Sequence, residues 1–148
     1  MNRYLVLTTL ITLTCLGMVT LRLRAAEKPS AEYVAAMKVL AVVSAQLPQL
    51  LATDDVDGLD KAVIKARPAL ITLEQYWTTR QVDDALATAQ TASKAIAEIS
   101  VAVHLMSDHP NPIATEGAQE SIKTFRASCD SCHAVHRTTL PDGSFEIR

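Results

Sequence analysis

Aromatic residues are scarce in this chain: two Phe, three Tyr and one Trp, 4% of 148 residues. Glycine is scarcer still, at four. Sandwiches and barrels draw on β-branched and aromatic strands joined by glycine-rich turns, so both shortages argue against them. Three cysteines are too few for a disulfide scaffold. Charge of one sign is missing as well: 14 Lys and Arg stand against 16 Asp and Glu, a formal net of −2. Nothing in that balance resembles the basic patch of a nucleic-acid binder. Apolar residues, in contrast, make up 49%, which excludes general disorder and suffices for one packed core at this length. The class that remains is a single, mostly helical domain rich in Ala and Leu.

Residues 1–26 read as an address. Arg3 gives a positive start, and from Tyr4 to Leu21 no residue is charged and most are apolar. This is the pattern of a secretory signal or signal anchor. Ala25 and Ala26 offer small residues for cleavage, but Leu23 and Arg24 stand where a small −3 residue belongs. The run is near the lower length limit for a membrane span. A cleaved signal peptide and an uncleaved inner-membrane anchor both fit, and either makes the remainder an exported, periplasmic domain. Cys15 follows Thr14, where a lipoprotein site takes Ala, Gly or Ser, and reads as a passive apolar residue. Beyond residue 26 all 16 acidic residues remain against 11 basic ones, since Arg3, Arg22 and Arg24 are left behind. The exported part is mildly acidic, which suits solubility.

Four apolar stripes with alternating steps of three and four follow, each marking one side of a helix. The first is Tyr33, Met37, Leu40, Ser44, Leu47 and Leu51; the second is Leu59, Val63, Ala66, Leu70, Leu73 and Trp77. The third is Ala85, Ala89, Ala92, Ile96, Ile99, Val103 and Met106; the fourth is Ala118, Ile122, Phe125, Cys129, Cys132 and His136. Pro29 and Ser30 suit the first helix start, Asp54, Asp55, Asp57 and Gly58 a break, and Thr78, Thr79 and Arg80 a short joint. Asp108 to Pro112 ends the third helix, with Asn111 a candidate cap and Pro112 in the first turn of the fourth. Pro48 and Pro68 inside the first two stripes predict a kink or a shortened helix. Short joints between helices of this length predict an all-α, antiparallel up-down-up-down four-helix bundle over residues 27–137. Residues 138–148 form a turn and a short extended tail. The alanines opening the third stripe let helices approach closely or leave room for something flat.

Residues 129–133 read Cys-Asp-Ser-Cys-His, the C-x-x-C-H attachment pattern of c-type haem. On a helix, thiols at i and i+3 share a face within reach of the two vinyl groups of one porphyrin. His133, at i+4 from Cys129, shares that face and can bind iron from the proximal side through a neutral imidazole. Three other readings use the same residues. A thioredoxin-like dithiol belongs in a βαβ setting, which is absent. A zinc site lacks a second Cys pair, and His109 and His136 have poor finger spacing. A plain disulfide is the third.

With an export segment, a four-helix pattern and C-x-x-C-H near the end of the last helix, the chain resembles class II cytochrome c, the cytochrome c′ family and its low-spin relatives. The resemblance implies one covalent haem c, with Cys129 and Cys132 at the attachment positions and His133 at the proximal one. The family motif continues with an aromatic and an Arg; here His136 replaces the aromatic and Arg137 matches. The matching pattern spans about 120 residues, but its specific part is short. Cytochromes c′ leave the iron five-coordinate, whereas their low-spin relatives place a Met of the first helix on it. Met37, followed by Lys38, stands at the matching position. As a stripe residue alone it would read as core filler.

Met106 near the third helix end, His104, and His136 on the same helix as His133 are weaker sixth ligands, and Met1 and Met18 fall in the export segment. Arg137 matches a haem-facing Arg, and Arg126 is a second candidate to pair with a propionate. Trp77 and Phe125 read as core. No nucleophile–base set stands out. The expectation is therefore an exported monohaem electron carrier, not an enzyme, with Met37 and His133 axial and unidentified redox partner proteins. A soft thioether opposite a histidine favours ferrous iron and small rearrangement on electron transfer. The alternative is a five-coordinate binder of nitric oxide or carbon monoxide. A third reading is a haem-free thiol or metal protein using Cys129 and Cys132. Family members often dimerise through their first two helices, so a homodimer is among the expected states.

Overall fold

The computed structural model describes residues 26–148, so the export segment, apart from Ala26, lies outside the described residues. Four helices follow in order: α1 (Ala31–Ala52), α2 (Val56–Arg80), α3 (Asp83–Met106) and α4 (Pro112–His136). Each packs on the next and α4 closes back onto α1 along the thinnest seam, giving the all-α, up-down-up-down four-helix bundle that the stripes predict. Every residue of the second and third stripes is buried. In the first and fourth, Met37, Ser44, Leu51 and Cys129 are half-buried.

Polar side chains start three of the helices by satisfying backbone N–H groups that no helical turn can reach, at about 1 kcal/mol each. The Tyr33 N–H donates to Ser30 Oγ (3.2 Å), the Gly58 N–H to Asp55 Oδ1 (2.9 Å) and the Ala114 N–H to Asn111 Oδ1 (3.1 Å), with Pro112 opening α4. Gly58 leaves room for the Asp55 cap: a Cβ there would crowd the Asp55 carboxylate and the end of the Leu50 side chain, which would both have to move.

Two boundaries differ from expectation. Thr78, Thr79 and Arg80 are helical, and the joint shrinks to Gln81, left-handed at φ 55, and Val82. Thr79 returns its hydroxyl to the Gln75 carbonyl (2.8 Å), and Arg80 is held by Glu27 and by the face of Tyr76. Neither Pro48 nor Pro68 ends its helix. Each withholds one ladder hydrogen bond, but the apolar face continues on both sides of it, with Leu59, Val63, Leu70 and Leu73 buried around Pro68.

The tail is more ordered than a turn and an extended end. β1 (Arg137–Thr139) and β2 (Phe145–Ile147) pair antiparallel, Arg137 opposite Ile147, with the turn between them containing Gly143 at φ 82. Glu27 joins them: its N–H donates to the Ile147 carbonyl and its carbonyl accepts from the Ile147 N–H, both at 2.9 Å. Ile147 is buried in the core, so the tail packs back onto the bundle. Near the N-terminus, α1 is long and apolar enough to cross a membrane by length and composition, but its Tyr33, Ala36, Leu40, Val43 and Leu47 are buried against the other helices.

Candidate functional site

Helix α4 ends in a network that fixes its last turn. The Arg148 N–H donates to the His136 carbonyl (3.2 Å), and the Arg148 guanidinium reaches the carbonyls of Ala134 (3.4 Å) and Arg137 (3.5 Å). These are acceptors that the end of a helix leaves open. A cationic side chain there also meets the negative end of the helix dipole. Arg148 thus holds in place the turn that carries Cys132, His133 and His136.

Inside this end of the bundle is a mostly apolar cavity of about 350 Å³. Small-molecule and cofactor sites span roughly 300 to 1,000 Å³. Met37, Cys129, Cys132, His133, Arg126 and Arg137, the six residues singled out from the sequence, all line it. Met37 comes from α1, with Tyr33, Leu40, Ala41 and Ser44; the Cys-x-x-Cys-His residues come from α4. Ala89 and Ala92 of α3 form another part of the wall, so the alanines of the third stripe do leave room. The exposed Ala41, Ala45, Arg126 and Asp130 place the mouth along the α1–α4 seam. Met106, the weaker ligand candidate, is buried away from the cavity with its Sδ 3.3 Å from Thr115 Oγ1, and His104 is exposed.

Sequence reasoning missed four contributors. Phe145 and Ile147 of β2 close the cavity from the tail side, while Ser44 and Thr88 give it hydroxyls. Ser44 had a signal: a polar residue in a slot of the apolar stripe. His136, which replaces the family's aromatic, is buried beside the cavity and packs on Trp77 with ring centroids 5.2 Å apart. Its Nε2 lies 3.0 Å from Asp84 Oδ2 and its Nδ1 3.3 Å from the Arg148 carbonyl, which ties α4 to the start of α3 and to the tail. Trp77 and Phe125 are fully buried and take no part in the lining.

Both cysteines carry free thiols. Burial pushes each up from 9.0 to about 11, with the Asp130 charge adding for Cys129 and that of Asp84 for Cys132. Burial and the Arg137 guanidinium hold the His133 imidazole below its usual range, toward the neutral form that metal coordination requires. Burial raises the Tyr33 phenol. Among the described residues two buried polar atoms have no hydrogen-bond partner, Trp77 Nε1 and Arg137 Nε, and Arg137 is part of the cavity wall. An unpaired buried donor costs about 1–3 kcal/mol, so each calls for a reason. Among the described residues no group of three or more His, Cys, Asp or Glu side chains is placed to hold a metal ion.

No protein-family model, curated protein or solved structure matches the chain.

Proposed function

We propose that this chain is an exported, periplasmic monohaem cytochrome of the c type that carries one electron and catalyses no reaction of its own. The observation that carries the reading is one apolar cavity lined from α4 by two thiols and an imidazole in C-x-x-C-H order, and from α1 by the Met37 thioether. The residues present suit the group. Cys129 and Cys132 would hold a haem by thioether bonds, His133 would ligate its iron, and Met37 would be its second protein ligand. The unpartnered Nε of Arg137 supports a role for that guanidinium in receiving a propionate. Arg126, exposed at the mouth, is a second candidate for that role.

The haem would supply a one-electron couple. The protein's part is to hold ligand geometry in both oxidation states, to keep water away with Leu40, Leu70, Leu73 and Phe145, and to keep His133 neutral by burial. The apolar segment preceding the bundle supports export. Its retention as an anchor would keep the domain at the inner membrane.

The test is denaturing mass spectrometry of the chain made in a host with c-type cytochrome maturation. The reading expects one haem mass retained after unfolding and lost from Cys129→Ala/Cys132→Ala. A bare polypeptide mass from the unsubstituted chain would overturn it in favour of a thiol or metal protein.

A further inference from the structure

His136 carries two polar atoms into a buried place in the cavity wall. Its contact with Trp77 asks only for a ring, so packing leaves the two nitrogens unexplained. Nε2 lies 3.0 Å from Asp84 Oδ2 at the start of α3, and Nδ1 lies 3.3 Å from the main-chain oxygen of Arg148 in the tail. Both partners only accept, because an ionised carboxylate and a main-chain oxygen have no proton to give. A neutral imidazole donates from one nitrogen and turns a lone pair outward on the other. It would satisfy one of these oxygens and oppose the second. The imidazolium donates to both.

Asp84 is the acid in contact with the ring. Around it, α4 brings the Cys132 thiol and the His133 imidazole to the same wall, α1 the Tyr33 phenol and β1 the Arg137 guanidinium. From α2 come the Trp77 indole, then Tyr76, and over Tyr76 the Arg80 guanidinium, which Glu27 holds. The Arg148 guanidinium is turned to the carbonyls of Ala134 and Arg137. Burial keeps the Cys132 thiol and the Tyr33 phenol protonated throughout the range in which histidines titrate.

We propose that His136 is a proton-operated clasp on the tail: doubly protonated, it ties the tail to α3 and holds the tail-side wall of the cavity shut, and loss of one proton to solvent lets that wall loosen. The proton that stays is the one on Nε2, since a hydrogen bond to an ionised carboxylate is the stronger of the two. The Nδ1 lone pair then faces the Arg148 oxygen, so the tie that is lost is the one to the tail. What that tie holds is wall: Phe145 and Ile147, on the strand that leads into Arg148, both line the cavity. The Glu27 bridge and the Arg148 bonds to α4 share the load, so the tail loosens and does not detach. The clasp goes beyond the haem reading and stands without it, because it governs the cavity wall whatever the cavity holds.

The test is deuterium exchange read by mass spectrometry on the chain purified from a host with c-type cytochrome maturation, between about pH 5 and pH 8, where histidine changes charge. Two exchanges are followed together. The slow exchange of the His136 Cε1–H reports the titration of that ring alone. Amide exchange of residues 137–148, corrected for its intrinsic dependence on pH, reports the tail. The clasp predicts that corrected tail exchange rises several-fold as His136 loses its proton, while residues 96–106 of α3 stay flat. Asp84→Asn, at an exposed position, moves both transitions together to lower pH. His136→Phe, which keeps a ring against Trp77, removes the step in tail exchange. Tail exchange in the unsubstituted chain that does not follow the ring's titration, or a ring titration that Asp84→Asn leaves in place, overturns the clasp. The intact mass of the same samples shows whether haem is attached, so a failure of the haem reading is seen separately.

Discussion

The two ends of the bundle are built on different terms, and α3 displays the change within one stripe. At the far end it presents Ile96, Ile99, Val103 and Met106, all buried, and the neighbouring helices bring Leu47, Leu59 and Ile122 against the same core. At the other end it presents Ala85, Ala89 and Ala92, and a cavity opens where larger side chains would have met. Helix caps and a glycine close the far end, with Asp55, Gly58 and Asn111 in their ordinary roles. The cavity end is closed by an irregular assembly: a two-stranded hairpin, the single residue Glu27, and Arg148 on open carbonyls. Both unpartnered buried polar atoms lie at that end as well. One end spends its apolar surface on stability, while the other gives up packing and hydrogen bonds to keep a shaped, mostly apolar space.

Substitutions can break this contrast or sharpen it. The largest expected effect is at the attachment pair: either Cys129→Ala or Cys132→Ala removes one thioether, and the double variant leaves no haem mass on the denatured chain. Next is a matched pair on α3. Ala92→Leu projects into the cavity, so it should change the unfolding free energy of the haem-free protein, read by urea titration, by less than about 1 kcal/mol while haem content falls to near zero. Ile99→Ala, in the filled part, should cost about 3 kcal/mol in the same titration. If Ala92→Leu destabilises as much as Ile99→Ala, the two ends are packed alike and the contrast is false.

The thiols give a third, chemical test. With Cys129 and Cys132 pushed up from 9.0 to about 11, their thiolate fraction at pH 8 falls about a hundredfold, so iodoacetamide should label the folded haem-free protein about a hundred times more slowly than the same chain in denaturant. The sign for stability follows from the same shift. Deprotonation favours the unfolded chain, so the contribution is fully present below about pH 9 and is lost as pH rises toward 11. Urea midpoints across that range check it. The smallest effect is Asn111→Ala at the far end, about 1 kcal/mol by urea titration, with any haem spectrum unchanged.

The helices were legible because burial repeats along them. Leu59 through Trp77 and Ala85 through Met106 form stripes in which every position is inside. The candidate site was legible where its residues sit on the first and fourth stripes, as Met37, Cys129 and Cys132 do. It was illegible where strands of only three residues supply the wall: Phe145 and Ile147 show a single alternation, and Glu27 pairs with Ile147 through backbone groups common to every residue. The burial of His136 depends on Asp84, fifty-two positions away, and no local pattern encodes that contact. The persistence of α1 and α2 through Pro48 and Pro68 was hidden for a related reason: tertiary burial on both sides of each ring outweighs a local penalty.

The central claim is that the cavity end holds a haem between His133 and Met37, and the absorption spectrum of the purified chain, oxidised and then reduced, tests it most directly. The account predicts a low-spin spectrum with sharp, split reduced bands and the weak far-red methionine–iron band when oxidised, the latter lost in Met37→Ala. A broad high-spin spectrum that Met37→Ala leaves unchanged would contradict the Met37 assignment and turn the reading toward an open iron that binds nitric oxide or carbon monoxide. A spectrum with no haem band would contradict the account as a whole.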